Sequence, residues 1–344
     1  MSATAARDGA APREQLSLFV TPRGRGEADA AGVKGAVRAH HGGALDGVIL
    51  PAHVLGGTSS WSFPGWRGLV YEGDHSATAL ARAGLAAYAS HKLLGAVGLD
   101  KTFYRPAPVS EFARLGAQVG DQFRFLVKAH RDCTTVFRRD PDDPRRTIRN
   151  PRFLEPEYAT EAVVRPAVDG LGARLGVLLF QFPPEAAFNG RGAPRLRERI
   201  EAFLRRLPSG VPYAFEVRNR EVLSADYGAM LRGHGAAHGY CVHPTMPSVS
   251  QQRAILGGAD VERPRVLRWM LGHGRAYEEA KQRYAPFDAL REPAPDVRRE
   301  IVALLGSRRA DPGRPGCIVI VNNKAEGCSP RSLVSLAAAF HAVT

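Results

Sequence analysis

Glu216 and Arg218 stand two residues apart in the run "YAFEVRN". On a β-strand that spacing points both side chains to one face. An inward carboxylate beside a guanidinium is either a general acid/base or half of a buried ion pair holding strands together. Lys128 ends the run "FRFLVKA" and Arg268 lies in "RVLRW". Such cations bind phosphate or carboxylate, lysine as a point charge and arginine bidentately. Gln181 in "FQFPP" and Asn322 and Asn323 in "VNNK" offer amides that orient a substrate hydroxyl or phosphate, or else tie down a loop. Trp61 and Tyr104 offer rings that stack on a base or sugar, or else pack at a rim. Taken together, Glu216 and Lys128 are the candidate catalytic residues. Trp61, Tyr104, Gln181, Arg218, Arg268, Asn322 and Asn323 are the candidate substrate-binding ones. Hydrolysis of a phosphodiester or glycosidic bond is the reaction class such a set would serve.

These residues are spread over more than 250 positions, so the chain must gather them. Eight short apolar runs recur, at 54–61, 95–104, 123–129, 176–182, 213–218, 239–244, 265–269 and 317–323. Helical stretches alternate with them, as in a parallel α/β protein. In 194–208, Leu196, Ile200, Phe203, Leu204 and Leu207 recur at helical spacing with charge on the other face. Residues 77–93, 156–172 and 330–343 look similar, with Pro166 breaking the second. Eight strands close a barrel, and no Gly-rich phosphate fingerprint follows the first strand as an open dinucleotide-binding sheet would need. The expected fold is a single (β/α)8 TIM-type barrel over residues 46–344. Its strand ends would bring the candidates to one mouth, together with Ser59, Ser60, Asp100, Phe103, His130, His243, His273 and Lys324.

His130, His243 and His273 follow three different strands, and Asp100 and Glu216 could join them around a divalent metal. No two share a tight ligand spacing such as HxH or HExxH, so no metal is assigned, and no cofactor is evident. The four cysteines show no close pairing either. The chain carries a net charge of +13, and only 2 of it falls in residues 1–45, where six basic residues face four acidic ones. The excess therefore belongs to the barrel and favours phosphate-bearing partners. Segment 131–153, with seven Arg against four Asp, is a long βα connection on the mouth side that could follow a phosphate backbone or be a solvated loop. No run is long enough to span a bilayer and no secretory signal is present, so a cytoplasmic protein with no membrane partner is expected.

The motifs "GTSSWSFPGWRGLVY", "TFYRPAP", "FRFLVKAHRDCT", "LGVLLFQFPP", "FEVRN", "LRWMLGHGRAYEEAKQRYAPFDAL" and "VIVNNKAEGCSPRSLVSLA" together resemble the YecE-like TIM-barrel family, domain of unknown function 72. The resemblance runs from about residue 54 to the C-terminus and implies the fold, not a reaction. Where relatives tend to read Glu-Ile-Asn before "TFYR", this chain has Gly98 and Asp100, which would mark an altered or inactive member if that glutamate is needed.

Residues 1–45 hold too few large apolar side chains to order a chain, so a disordered tail is expected. Within it, "QLSLF", residues 15–19, resembles the peptide by which many bacterial proteins bind the DNA polymerase sliding clamp. Leu16, Leu18 and Phe19 would fill apolar pockets and Gln15 would fix register; docking on its own domain is the alternative. The leading reading is a barrel that acts on or recognises nucleic acid, or a phosphorylated fragment of it, tethered to the clamp. The alternatives are an enzyme for a sugar or organic acid and a non-catalytic clamp-associated adaptor.

Overall fold

Each of the eight apolar runs forms a strand. In the computed structural model, which describes residues 36–143, 145–257, 265–272, 274, 276–306 and 316–343, these are β1 Val54–Thr58, β2 Ala96–Leu99, β3 Arg124–Lys128, β4 Leu175–Gln181, β5 Tyr213–Glu216, β6 Ala237–Val242, β7 Val266–Trp269 and β8 Cys317–Val321. Neighbours pair in parallel in chain order, and β1 closes the ring by pairing with both β2 and β8. The first two strands approach so closely that a methyl at Gly57 would sit 2.2 Å from the Ala96 carbonyl oxygen, which only glycine avoids.

Alternation along the strands sorts the residues. Ala96, Leu126, Val177, Leu179, Ala214, Val266, Ile318 and Ile320 form a buried cluster inside the ring, while Val97, Val127, Leu178, Phe215 and Leu267 belong to the larger core under the helices. Two residues further along five of these strands the inner face changes character. Lys128, Gln181, Glu216, Arg268 and Asn322 continue the inward set. The barrel interior is thus apolar at the N-terminal ends of the strands and polar at the C-terminal ends.

Helix Gly192–Leu204 buries Leu196, Ile200, Phe203 and Leu204, as its periodicity requires. The stretch expected as one helix at 77–93 divides at Gly84 into Ala77–Ala83 and Leu85–Ala89. The break near Pro166 takes the form of a π-helical turn, Thr160–Val164, between Pro156–Ala159 and Arg165–Leu171. Pro166 falls in the first turn of the last piece, and the wider π turn accommodates its missing N–H.

Two further features correct the sequence reading. Against the expectation of a disordered tail up to residue 45, the His40 N–H donates to the Val70 carbonyl (3.0 Å) and the Glu72 N–H to the Arg38 carbonyl (3.0 Å). Leu45 supplies the apolar anchor and is buried. The pentapeptide at 15–19 lies outside the described residues. Segment 131–153 is no extended loop: Phe137–Arg139 pairs antiparallel with Thr147–Arg149 as a hairpin. Among the described residues no helix is long and apolar enough to cross a membrane.

Candidate functional site

Glu216 is fully buried, and its neighbours explain how it tolerates that. Arg218 Nε donates to Oε1 at 2.7 Å, while Arg268 Nη1 lies 3.1 Å from Oε2 and 3.2 Å from Oε1. The other end of the Arg268 guanidinium, Nη2, reaches Asp100 Oδ1 at 3.2 Å. Burial pushes the Glu216 carboxyl up, but Arg218, Arg268 and Lys128 outweigh it and hold the pKa down to about 2. Glu216 is therefore a carboxylate at neutral pH with no proton to give. Of its two expected roles, its hydrogen bonds describe the buried ion pair, and its effect is to fix two guanidiniums at the mouth.

Lys128 ends β3 with its Nζ 3.7 Å above the centroid of the Phe103 ring. Among the described residues no hydrogen bond or ion pair reaches that amine. Burial lowers its pKa to about 7, with Asp100 opposing and Arg268 reinforcing the shift. Thr102 Oγ1 lies 2.6 Å from the carbonyl oxygens of both Leu99 and Lys128 and ties the ends of β2 and β3 together. Lys324, beyond β8, repeats the pattern. Its Nζ lies 4.2 Å from the Tyr277 ring centroid and 5.9 Å from that of Phe287. Burial, reinforced by Lys281 and opposed by Asp100, lowers its pKa to about 8. Burial and the same aspartate push the Tyr104 phenol up to about 12 and Tyr277 higher still. Asp100, one of the two residues at which this chain departs from the expected motif, is thus the charge that five mouth side chains share. Tyr277 was missed in the sequence, although it lies in one of the motifs that carry the family resemblance.

The oxygens of two of the amides are committed locally, while Asn323 Nδ2 is buried without a hydrogen-bond partner among the described residues. Asn322 Nδ2 donates to Ser59 Oγ at 3.2 Å and its Oδ1 accepts from the Lys324 N–H at 2.9 Å. Asn323 Oδ1 accepts from the N–H and hydroxyl of Ser329, both at 2.8 Å. Both anchor the turn that carries Lys324, which is the loop-fixing alternative rather than substrate contact. Gln181 is buried on the inner face beside Glu216, its partner in the β4–β5 register. Trp61 is corrected from rim to core: it is buried, and its indole N–H donates to the Leu80 carbonyl at 2.9 Å. Among the described residues, two of the three candidate histidines are hydrogen-bonded to hydroxyls. His130 Nδ1 pairs with the Tyr158 hydroxyl at 2.7 Å, and His243 Nδ1 with Thr245 Oγ1 at 2.9 Å. His273 lies outside the described residues. In the hairpin segment Arg152 meets Asp132 at 3.2 Å and Arg146 meets Asp140 at 3.8 Å, so part of its charge is neutralised within the segment.

The fold and this layer of buried ions define a (β/α)8 barrel with a cation-rich polar mouth at the C-terminal ends of its strands. The family described as Protein of unknown function DUF72 matches residues 55–344, and the chain belongs to that family. A DUF72 family protein from Thermotoga maritima MSB8 superposes with a TM-score of 0.53 at 19% identity, covering 84% of this chain and 98% of that one. Another from Enterococcus faecalis V583 gives 0.51 at 13% identity, covering 86% and 99%. At these identities the likeness is one of fold. No curated protein matches the chain.

Proposed function

We propose that the barrel mouth binds a phosphate of a nucleic acid or of a phosphorylated fragment derived from one. One observation carries this reading. Lys128 and Lys324 are both buried with depressed pKa values beside Asp100, in a network where Lys128, Arg218, Arg268 and Lys324 outnumber Asp100 and Glu216. An arriving dianion lets both amines take up protons, and the guanidiniums are already held in place by Glu216. Hydrolysis of a phosphodiester or glycosidic bond fits the same set. Lys128, in part an uncharged amine at neutral pH, would accept a proton from water while Arg268 offsets developing negative charge. The QLSLF peptide would raise the local concentration of the barrel at DNA by tethering it to the sliding clamp.

The test is fluorescence anisotropy of the full chain with matched oligonucleotides that carry or lack a 5′-phosphate. The phosphorylated one binds tighter, in a salt-dependent way, and Lys128→Met and Lys324→Met each weaken it by about tenfold or more. Equal affinity for the two oligonucleotides, or indifference to both substitutions, would remove the site. The tether is tested separately by clamp pull-down with Leu18→Ala and Phe19→Ala together. The second reading, a small sugar or organic-acid ligand, is favoured by the apolar cluster directly beneath the polar layer, which fills the barrel below it. Micromolar binding of a sugar phosphate without oligonucleotide affinity would select it.

A further inference from the structure

His41, Asp46 and His91 come together away from the mouth, and one ligating atom from each lies within 4.8 Å of the others. We propose that these three side chains form a binding site for a zinc-like divalent ion that staples the N-terminal segment to the barrel. His91, in the turn between helix Leu85–Ala89 and β2, is only 3% exposed. Its Nε2 lies 2.9 Å from the Val70 carbonyl oxygen, a contact that calls for a proton on that nitrogen. Nδ1 is then an uncharged lone pair, buried, with no hydrogen-bond partner of its own. A ring oriented by a backbone carbonyl through one nitrogen, with the other left bare, is how metal-bound histidines are held. An orphaned buried nitrogen is otherwise costly, and an ion accounts for it.

The other two ligands are suitably prepared. Asp46 Oδ2 accepts the Gly42 N–H, which leaves Oδ1 facing His41 Nδ1 at 3.8 Å. The His41 and His91 ring centroids are 5.5 Å apart. Tetrahedral zinc with bonds near 2.0–2.1 Å sets its ligand atoms about 3.4 Å apart, so atoms within 4.8 Å of one another must close by up to about 1.4 Å. His41 and Asp46 are exposed enough to do so, with side-chain accessibilities of 63% and 39%. Two imidazoles and one carboxylate, completed by water, suit zinc rather than magnesium or calcium, which prefer all-oxygen sites. Because His41 and Asp46 precede β1 and His91 belongs to the barrel, the ion would fix residues 41–46 against the barrel.

The experiment uses the full chain without a histidine tag, stripped of metal by a chelator and titrated with zinc chloride in a calorimeter. One equivalent binds, the thermal transition rises, and cobalt substitution produces visible d–d bands. His41→Gln and Asp46→Asn, both at exposed positions that the fold tolerates, each lose about tenfold or more in affinity together with those bands. His91→Gln removes the buried ligand as a third comparison. Absence of stoichiometric binding, or zinc binding unchanged in both exposed variants, would overturn the site.

Discussion

Replacing Lys128 by Met should make this protein more stable, and the gain should depend on pH in a way that packing cannot imitate. The lysine is buried with its amine above Phe103, and burial has lowered its pKa from 10.5 to about 7. Between those values the unfolded chain holds a proton that the folded chain releases, so wild-type stability rises as the pH increases from about 7 to 10.5. At about 1.4 kcal/mol per tenfold change, the lysine opposes folding by roughly 4 kcal/mol at pH 7 and roughly 2 kcal/mol at pH 9. Losing the cation–π contact offsets about 1–2 kcal/mol of the gain, and a thioether over the same ring returns part of that. The thioether packing does not titrate, and the cation–π contact titrates only with the amine itself, whose folded-state pKa already includes it. Guanidinium denaturation of wild type and Lys128→Met at pH 7 and pH 9 therefore isolates the ionisation. The stability difference between the two proteins should shrink by about 2 kcal/mol over that interval. A difference that stays constant with pH would show that Lys128 is an ordinary, fully charged lysine, and the phosphate reading would lose its main support.

Other expectations follow from the same network. Glu216→Gln keeps the shape but leaves Arg218 and Arg268 without their shared carboxylate, and should cost about 3–5 kcal/mol by denaturant titration at pH 7. In the wild type this contribution, present above pH 4.5, should be lost only as the pH falls through about 2, because the folded-state pKa lies below the unfolded one. If anion binding loads protons onto both lysines, affinity for a phosphorylated oligonucleotide should fall about 500-fold from pH 7 to pH 9, and only about tenfold in Lys128→Met, where Lys324 alone still titrates. A flat profile measured by anisotropy would refute that coupling.

The strands were legible because a period of two written in Val, Ile, Leu and Phe survives in short runs, and because the inward parity of Leu126, Ala214 and Val266 extends to Lys128, Glu216 and Arg268. Ring closure follows from the count of eight. The chemistry was less legible. Nothing in "FEVRN" distinguishes an acid from a clamped carboxylate, since the deciding partner, Arg268, is 52 residues away. Trp61 was misplaced because an aromatic just past a strand end reads alike whether its ring faces the mouth or turns back under Leu80. The amide oxygens of Asn322 and Asn323 are spent on their own turn, a local preference of asparagine that competes with any ligand role. His41, Asp46 and His91 gave no signal, because their spacing matches no ligand motif and the fold alone unites them.

The dry plug of aliphatic side chains beneath the ionic layer has a consequence for traffic. A ring stoppered by Leu126, Leu179, Ile318 and Ile320 offers no exit on its far side. Whatever visits Lys128 and Arg268 must leave by the door it came through, and a long polymer cannot be reeled past them. Such a polymer would have to dip in a free end, or swing a single unit out of line, while the rest of it stayed on the porch.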